Sequence, residues 1–339
     1  ALSNAARVTG DVVRSVLASP GRLFGESEPD PARKRVFSPE PLPLDWLRDW
    51  NGSVRGRLDE LESREGVARD MVFDLALSGG RLDFEGRAAY INGGQGNARG
   101  TLDARGALPI VELNATFEDV YRDVEQTSYP RSGFLAVTSR GNSIAELAAN
   151  LDGQSYLALG RGPMDSASVA FLTSSVASVA LGALLPGSRD TQQELRCAIS
   201  VFEFKDQVAY TPFGYVARTN RANIIGRAEV NLADERLRME FDSRSRSGAG
   251  LSVGNVFSNT VRIEGSLANP QVTPRTAGIL WRGWAAFMTA GLSLVGEGVI
   301  KRALASESPC DDITAEIRKN ICPQDVPAAR SPLVCPGAG

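Results

Sequence analysis

There is no histidine among the 339 residues. That absence removes Ser-His-Asp and Cys-His catalysis, imidazole metal ligands and imidazole proton transfer together. Carboxylates, lysines, tyrosines or a Ser-Lys pair would have to carry any chemistry, and none recurs at a catalytic spacing. Lysine is scarce too. Of the 37 basic residues only Lys34, Lys205, Lys301 and Lys319 are lysine, which reads as composition bias toward arginine rather than as many functional guanidinium groups. Against 40 acidic residues the formal net charge is -3, so the basic footprint of a nucleic-acid binder is missing. No run of 18 apolar residues occurs. The nearest approach, 283–296, is bounded by Arg282 and Glu297 and is too short to span a bilayer. The chain starts at Ala1 with neither Met nor a charged-then-apolar leader, and is expected to be a mature protein or a fragment.

What is present is ordinary for a folded chain: 42% hydrophobic and 23% charged residues, which excludes wholesale disorder. The length allows one large domain or about two ordinary ones. Cysteine is confined to Cys197, Cys310, Cys322 and Cys335, the last three in a Pro-rich tail without the paired CxxC clusters of a zinc site. An even count in a tail that cannot build its own core favours disulfides and an oxidising compartment; the alternative is four free thiols in a cytosolic protein.

Periodicity sets the organisation. Val8, Val12, Val13, Val16 and Leu17 recur at helical spacing until Pro20-Gly21, and 25–41 form a Pro- and charge-rich linker. From about 51 the period becomes two. Met71, Phe73, Leu75 and Leu77 alternate with Val72, Asp74 and Ala76. After the Gly79-Gly80 turn, Leu82 and Phe84 alternate with Arg81, Asp83 and Glu85. Further strands are expected at 98–104 and 110–117. Helices are expected at 142–150 and 164–185. Strands resume at 195–204, where Leu195, Cys197, Ile199 and Val201 are expected on one face and Phe202 and Phe204 on the other. Two later runs follow, in which Leu237, Met239 and Phe241, then Val261 and Ile263, oppose charged residues, and Asn269-Pro270 is expected to close the last strand. A helix over 276–305 and a short one at 311–319 precede the tail. No βαβ alternation occurs, so a parallel-sheet enzyme fold is not expected.

One-sided strands need a cover for their oily side. Each Phe or Leu buried contributes roughly 1.5–3 kcal/mol. The sheet can close into a barrel, pack on helices, or curl into a trough around an apolar ligand; periodicity does not choose among them.

The stretch Arg35-Val36-Phe37-Ser38-Pro39-Glu40-Pro41-Leu42-Pro43-Leu44 with Trp46-Leu47 resembles the entry to the C-terminal region of AsmA-family proteins. So does the hairpin Leu77, Gly79, Gly80, Leu82 with its Gly93-Gly94 turn. Leu151-Asp152-Gly153, Leu159-Gly160-Arg161-Gly162, Leu195-Arg196-Cys197 with Phe202, Gly226 to Leu232 with Glu235, and Val261 to Pro270 follow in the family's order. The resemblance runs from about 35 to 310. It implies a periplasmic antiparallel meander curled into a groove, relatives among bridge-like lipid transfer proteins, and a part in phospholipid traffic and outer-membrane biogenesis. The implied full-length protein is inner-membrane associated through an anchor that lies outside this sequence.

The expected domains are a helix and linker at 1–34, a β-groove at 35–275 with a helical insertion near 142–186, and a cap helix with a disulfide tail at 276–339. The expected function is non-enzymatic lipid binding or transfer, with no cofactor and no metal. The partners expected are a phospholipid or other acyl lipid and the envelope membrane. Candidate lining residues are Met71, Phe73, Leu75, Leu77, Leu82, Phe84, Leu195, Ile199, Val201, Leu237, Met239, Phe241, Val261 and Ile263. Trp281, Trp284, Phe287, Met288 and Leu292 mark a groove cap or a membrane-proximal helix. Four cysteines allow three connectivities; in one of them a Cys197–Cys310 bridge would tie the end of that helix to a central strand and leave Cys322 and Cys335 as a second pair. The alternative is an interaction protein of outer-membrane assembly with a filled β core.

Overall fold

The computed structural model describes residues 35–63, 66–121, 126, 128–164, 193–220, 222–245, 259–275, 310–311 and 314–315. The expected helices at 1–24, 164–185 and 276–305 lie outside them, apart from residue 164. The described residues form one sheet of fifteen strands in which every pairing is antiparallel.

Five long strands open it: β1 (Gly52–Ser63), β2 (Gly66–Ser78), β3 (Arg81–Ile91), β4 (Gly94–Asp103) and β5 (Ile110–Val120). Then come β6 (Arg131–Arg140), β7 (Asp152–Leu159), β8 (Gly162–Met164) and β9 (Gln193–Lys205). The rest are β10 (Val208–Tyr210), β11 (Tyr215–Thr219), β12 (Ala222–Asn231), β13 (Arg236–Ser245), β14 (Asn259–Ser266) and β15 (Asn269–Arg275). The long strand β9 pairs with both β7 and β8 on one side, and with both β10 and β11 on the other, so each short pair shares one lane. Two short helices, α1 (Trp46–Asp49) and α2 (Ile144–Ala149), complete the described elements of regular structure outside 310–315. The second carries a capping box: Ser143 Oγ accepts from Glu146 N at 3.1 Å, and the Glu146 carboxylate accepts from Asn142 N at 2.7 Å.

Two sequence expectations change here. Residues 152–164, inside the expected helical insertion, are strands, because Leu157 and Leu159 alternate with Tyr156 and Ala158 at period two. Asn269-Pro270 does not close the last strand but opens β15, with Pro270 opposite Gly265. Proline is tolerated at a strand's start, where a missing N–H costs least.

The turns sort to two ends. At one end Asn92, buried and at φ +42°, uses its main chain and side chain together. Its Oδ1 accepts from Val67 N at 2.7 Å, its Nδ2 donates to the Tyr121 carbonyl at 3.2 Å, and its backbone bonds the same two residues. The start of β2, the β3–β4 turn and the end of β5 thus meet on one side chain. Asn92→Ala is expected to cost about 1–3 kcal/mol, the penalty for orphaning part-buried backbone groups, read as a lower urea midpoint with an unchanged m-value.

At the other end residues 35–50 form a strap along the turns. Glu235, 2% exposed in the β12–β13 turn, accepts from Arg35 Nε at 3.2 Å and from Val36 N and Phe37 N. Further along, Ser38 O accepts from Ala145 N, and Leu42 N donates to Asn142 O. Leu47 is fully buried, and Arg48 Nε and Nη2 donate to the Ala104 carbonyl at 3.0 and 2.8 Å. The two grips are alike. Gly80 O accepts from Ala104 N in the β2–β3 turn, as Glu235 O accepts from Leu267 N in the β12–β13 turn. The local sequences also correspond: Leu77, Arg81, Leu82 and Glu85 match Leu232, Arg236, Leu237 and Glu240 in spacing.

Candidate apolar binding face

Antiparallel partners point to the same side of a sheet, so the register assigns each residue to a face. One row runs Met71, Ala88, Gly96, Phe117, Gly133, Leu157, Ser200, Tyr215, Gly226 and Phe241. The next but one runs Leu75, Phe84, Gly100, Leu113 and Val137. This front face therefore extends unbroken from β2 to β13. The back face carries Asp74, Glu85, Arg99 and Asn114 in a row of its own.

The candidate lining residues divide into three groups. Met71, Phe73, Leu75, Leu77, Leu82 and Phe84 share the front face over β2 and β3 and are half-exposed. Leu195, Leu237, Phe241 and Ile263 share the same face farther along but are buried, in a cluster with Tyr129, Leu159 and Ile224, and Met239 packs against it. The register sets Val261 opposite Phe241. Ile199 and Val201 are on the back face, which corrects the single-face reading of 195–201. The β9 strand bulges: Thr219 pairs with Leu195 and Arg218 with Cys197, so Arg196 is the extra residue and parity flips there. Leu195 consequently joins Ala198 on the front, and Ile199 and Val201 join Phe134, Tyr156, Val216 and Ile225 behind.

Among the described residues the front face is thus partly exposed over β2–β5 and filled over β7–β14. Alternation does not distinguish the two halves, since both read apolar/polar. Leu102, Val111, Leu113 and Phe117 extend the half-exposed part and were not among the expected lining residues. Their signal was the same period-two pattern in 98–117.

Four phenylalanines on this face share one geometry. Phe73, Phe84, Phe117 and Phe241 stand directly across from Gly56, Gly100, Gly133 and Gly226, and each ring lies over its glycine, where a methyl group would collide with it. Glycine is needed at these positions for lack of a side chain, not for backbone freedom. The rings fill the space above their glycines and shield the backbone that glycine would expose.

The back face is a different chemical surface. Arg55 pairs with Asp74, Arg57 with Asp70, and Arg81 with Asp83. The Arg105 side chain holds the Asp103 carboxyl down at about 2, aided by the Arg105 backbone N–H. A depression of about 440 Å³ over β2–β5 takes most of its wall from this side: Asp74, Asp83, Glu85, Arg99, Glu112 and Asn114. Four carboxylates around one guanidinium make a poor seat for hydrocarbon, so this hollow is not the candidate site. Burial pushes the Tyr215 phenol above its usual range, so it stays protonated in the front cluster.

Cys197 and Cys310 are bridged, with Cα atoms 6.5 Å apart. Cys310 is buried among Phe134, Tyr156, Ile199 and Val201, on the back face. Cys310 is therefore pinned behind the sheet, on the side away from Met71, Phe73, Leu75, Leu77, Leu82 and Phe84. Trp281, Trp284, Phe287, Met288, Leu292, Cys322 and Cys335 lie outside the described residues. A disulfide fits an oxidising compartment. Among the described residues no helix is long and apolar enough to cross a membrane.

Compared with protein-family models, with curated proteins and with solved structures, the chain matches none.

Proposed function

We propose that the open part of the front face holds the acyl chains of a lipid, and that the protein is a non-enzymatic lipid-binding or lipid-transfer element of the bacterial periplasm, AsmA-like in kind and associated with the inner membrane in its full-length form. The observation that carries this reading is the half-exposed state of Met71, Phe73, Leu75, Leu77, Leu82 and Phe84, continuous with a buried core on the same side. Apolar side chains that stay partly exposed side by side on a folded chain are the kind of surface a ligand or partner covers. Rings that fill the space over glycines give the surface an even floor for hydrocarbon, and head groups remain at its rim. The motifs shared in order with the AsmA family and the disulfide support the assignment to the periplasm.

Organic extraction of the purified chain, followed by mass spectrometry, tests it. Phospholipid is expected with the native chain and is expected to be depleted in Leu113→Glu, which places a carboxylate on the floor. Native protein without lipid, or a variant that retains as much, overturns the reading. The packed clusters on both faces of β7–β14 favour a second reading for that half: an interaction module with a filled core.

A further inference from the structure

The strap end of the sheet carries apolar side chains that neither the core nor the open floor uses. Trp46 and Trp50 are 51% and 61% exposed, and Leu108 and Ile110 are 47% and 48% exposed. All four sit at the same end: Trp46 on α1, Trp50 on the residue after it, Leu108 on the β4–β5 loop and Ile110 on the first residue of β5. They are held outward by rigid anchors. Leu47, between the tryptophans, is fully buried and fixes α1. Arg48 grips Ala104 O, at the base of the loop that bears Leu108, and its side chain packs with that of Arg105 over Gly80. Asn51 Oδ1 accepts from Gly79 N at 2.7 Å, which holds the segment beside Trp50 against the β2–β3 turn.

The charges among these residues are largely matched: Arg48 with Asp45 at 3.6 Å, Arg81 with Asp83 at 2.8 Å, Arg105 with Asp103 at 2.5 Å. A tip with paired charges can meet a membrane interface without stranding a lone ion in it, and it does not depend on anionic lipid. Tryptophan with an aliphatic neighbour is the composition that settles at the boundary between head groups and acyl chains. The last front-face row before these turns is Leu77, Leu82, Leu102 and Val111, so the floor runs out to this tip.

We propose that the strap end docks on a phospholipid bilayer, with Trp46 and Trp50 seated at the headgroup boundary and Leu108 beside them. The occupant is a lipid surface rather than a protein groove, because the patch is a cluster of turn tips that leads into an apolar floor. The docking goes beyond lipid holding and does not require it.

The test is co-sedimentation of the full chain with vesicles of phosphatidylcholine and of phosphatidylethanolamine with phosphatidylglycerol. Trp46→Ser combined with Trp50→Ser is expected to weaken partitioning about tenfold or more on both vesicles, with an unchanged thermal midpoint, since both side chains are more than half exposed. Trp281→Ser combined with Trp284→Ser is expected to retain binding. In a chain carrying Trp281→Phe and Trp284→Phe, where Trp46 and Trp50 alone fluoresce, vesicles are expected to shift emission to the blue. Absence of vesicle binding by the native chain, equal binding by the first variant, or emission that vesicles leave unmoved overturns the proposal. So does finding that the two tryptophans serve a protein partner while vesicles go unbound. Extraction of lipid from the same samples separates the two ideas. Lipid recovered from a chain that no longer sediments keeps the floor and confirms the tip. Lipid absent from a native chain that sediments removes the floor alone.

Discussion

Cys197→Ala is expected to destabilise the chain by about 4 kcal/mol, the largest effect of any single change considered. The bridge joins residues 113 apart in sequence, and chain-entropy reasoning assigns a loop of about 100 residues nearly 5 kcal/mol, reduced in practice by residual structure in the unfolded chain. The loop it closes contains β9 through β15, almost half of the described sheet. A further loss comes from packing: Cys310 belongs to the back cluster with Val201 and Val216, and its release opens that cluster to water. Urea unfolding of the oxidised chain, the reduced chain and the variant measures this. Reduced native chain and variant are expected to unfold together, well below the oxidised chain, and to bind more of a dye that reports exposed apolar surface. If reduction shifts the midpoint of the variant as far as that of the native chain, the stabilisation lies in another bridge and the assignment to Cys197 fails.

Glu235→Ala comes second, at about 3 kcal/mol, the scale of hydrogen bonds to a charged group that is then removed. The side chain is almost wholly inaccessible, and it receives two consecutive backbone N–H groups and a guanidinium from a segment 200 residues away in sequence. Removing it leaves the front of the strap with the single Arg35 Nη2 bond to the Ala233 carbonyl at 2.6 Å, and the next ties lie at Ser38 and Leu42. Limited proteolysis is expected to cut near Arg35 in the variant and not in the native chain, before global unfolding begins. Glu235→Gln keeps an acceptor for the backbone N–H groups and is expected to lose less than half as much. A variant as resistant to protease as the native chain would show that the strap is held by its other ties alone.

The strands were legible because each needs only a period of two, and 71–77, 81–91, 236–241 and 259–266 carry it cleanly. The sheet's all-antiparallel order followed from short turns such as Gly79-Gly80. Disulfide bonding was reached from the tail's inability to build a core, whereas the choice of Cys310 as the partner of Cys197 was one of three connectivities that sequence leaves open. Three things were not legible. The bulge at Arg196 leaves no mark in the alternation, because Leu195 and Cys197 look like neighbours on one face whether or not a residue is inserted between them. Filled and open stretches of a sheet have the same pattern, since what covers a face comes from elsewhere in the chain. The role of Glu235 depends on a contact across 200 residues, and a glutamate in a hairpin turn reads as solvated until its partners are seen.

On the proposed lipid-binding reading, Phe73, Phe84 and Phe117, the three phenylalanines over glycine that lie outside the buried cluster, bear on selectivity. A ring that occupies the space over its cross-strand glycine evens out the step between a large and an absent side chain. Hydrocarbon on such ground meets neither a notch that measures its length nor a bump that registers a double bond. Discrimination among tails is therefore expected to be slight, and any preference for one lipid over another falls to the polar group at its end.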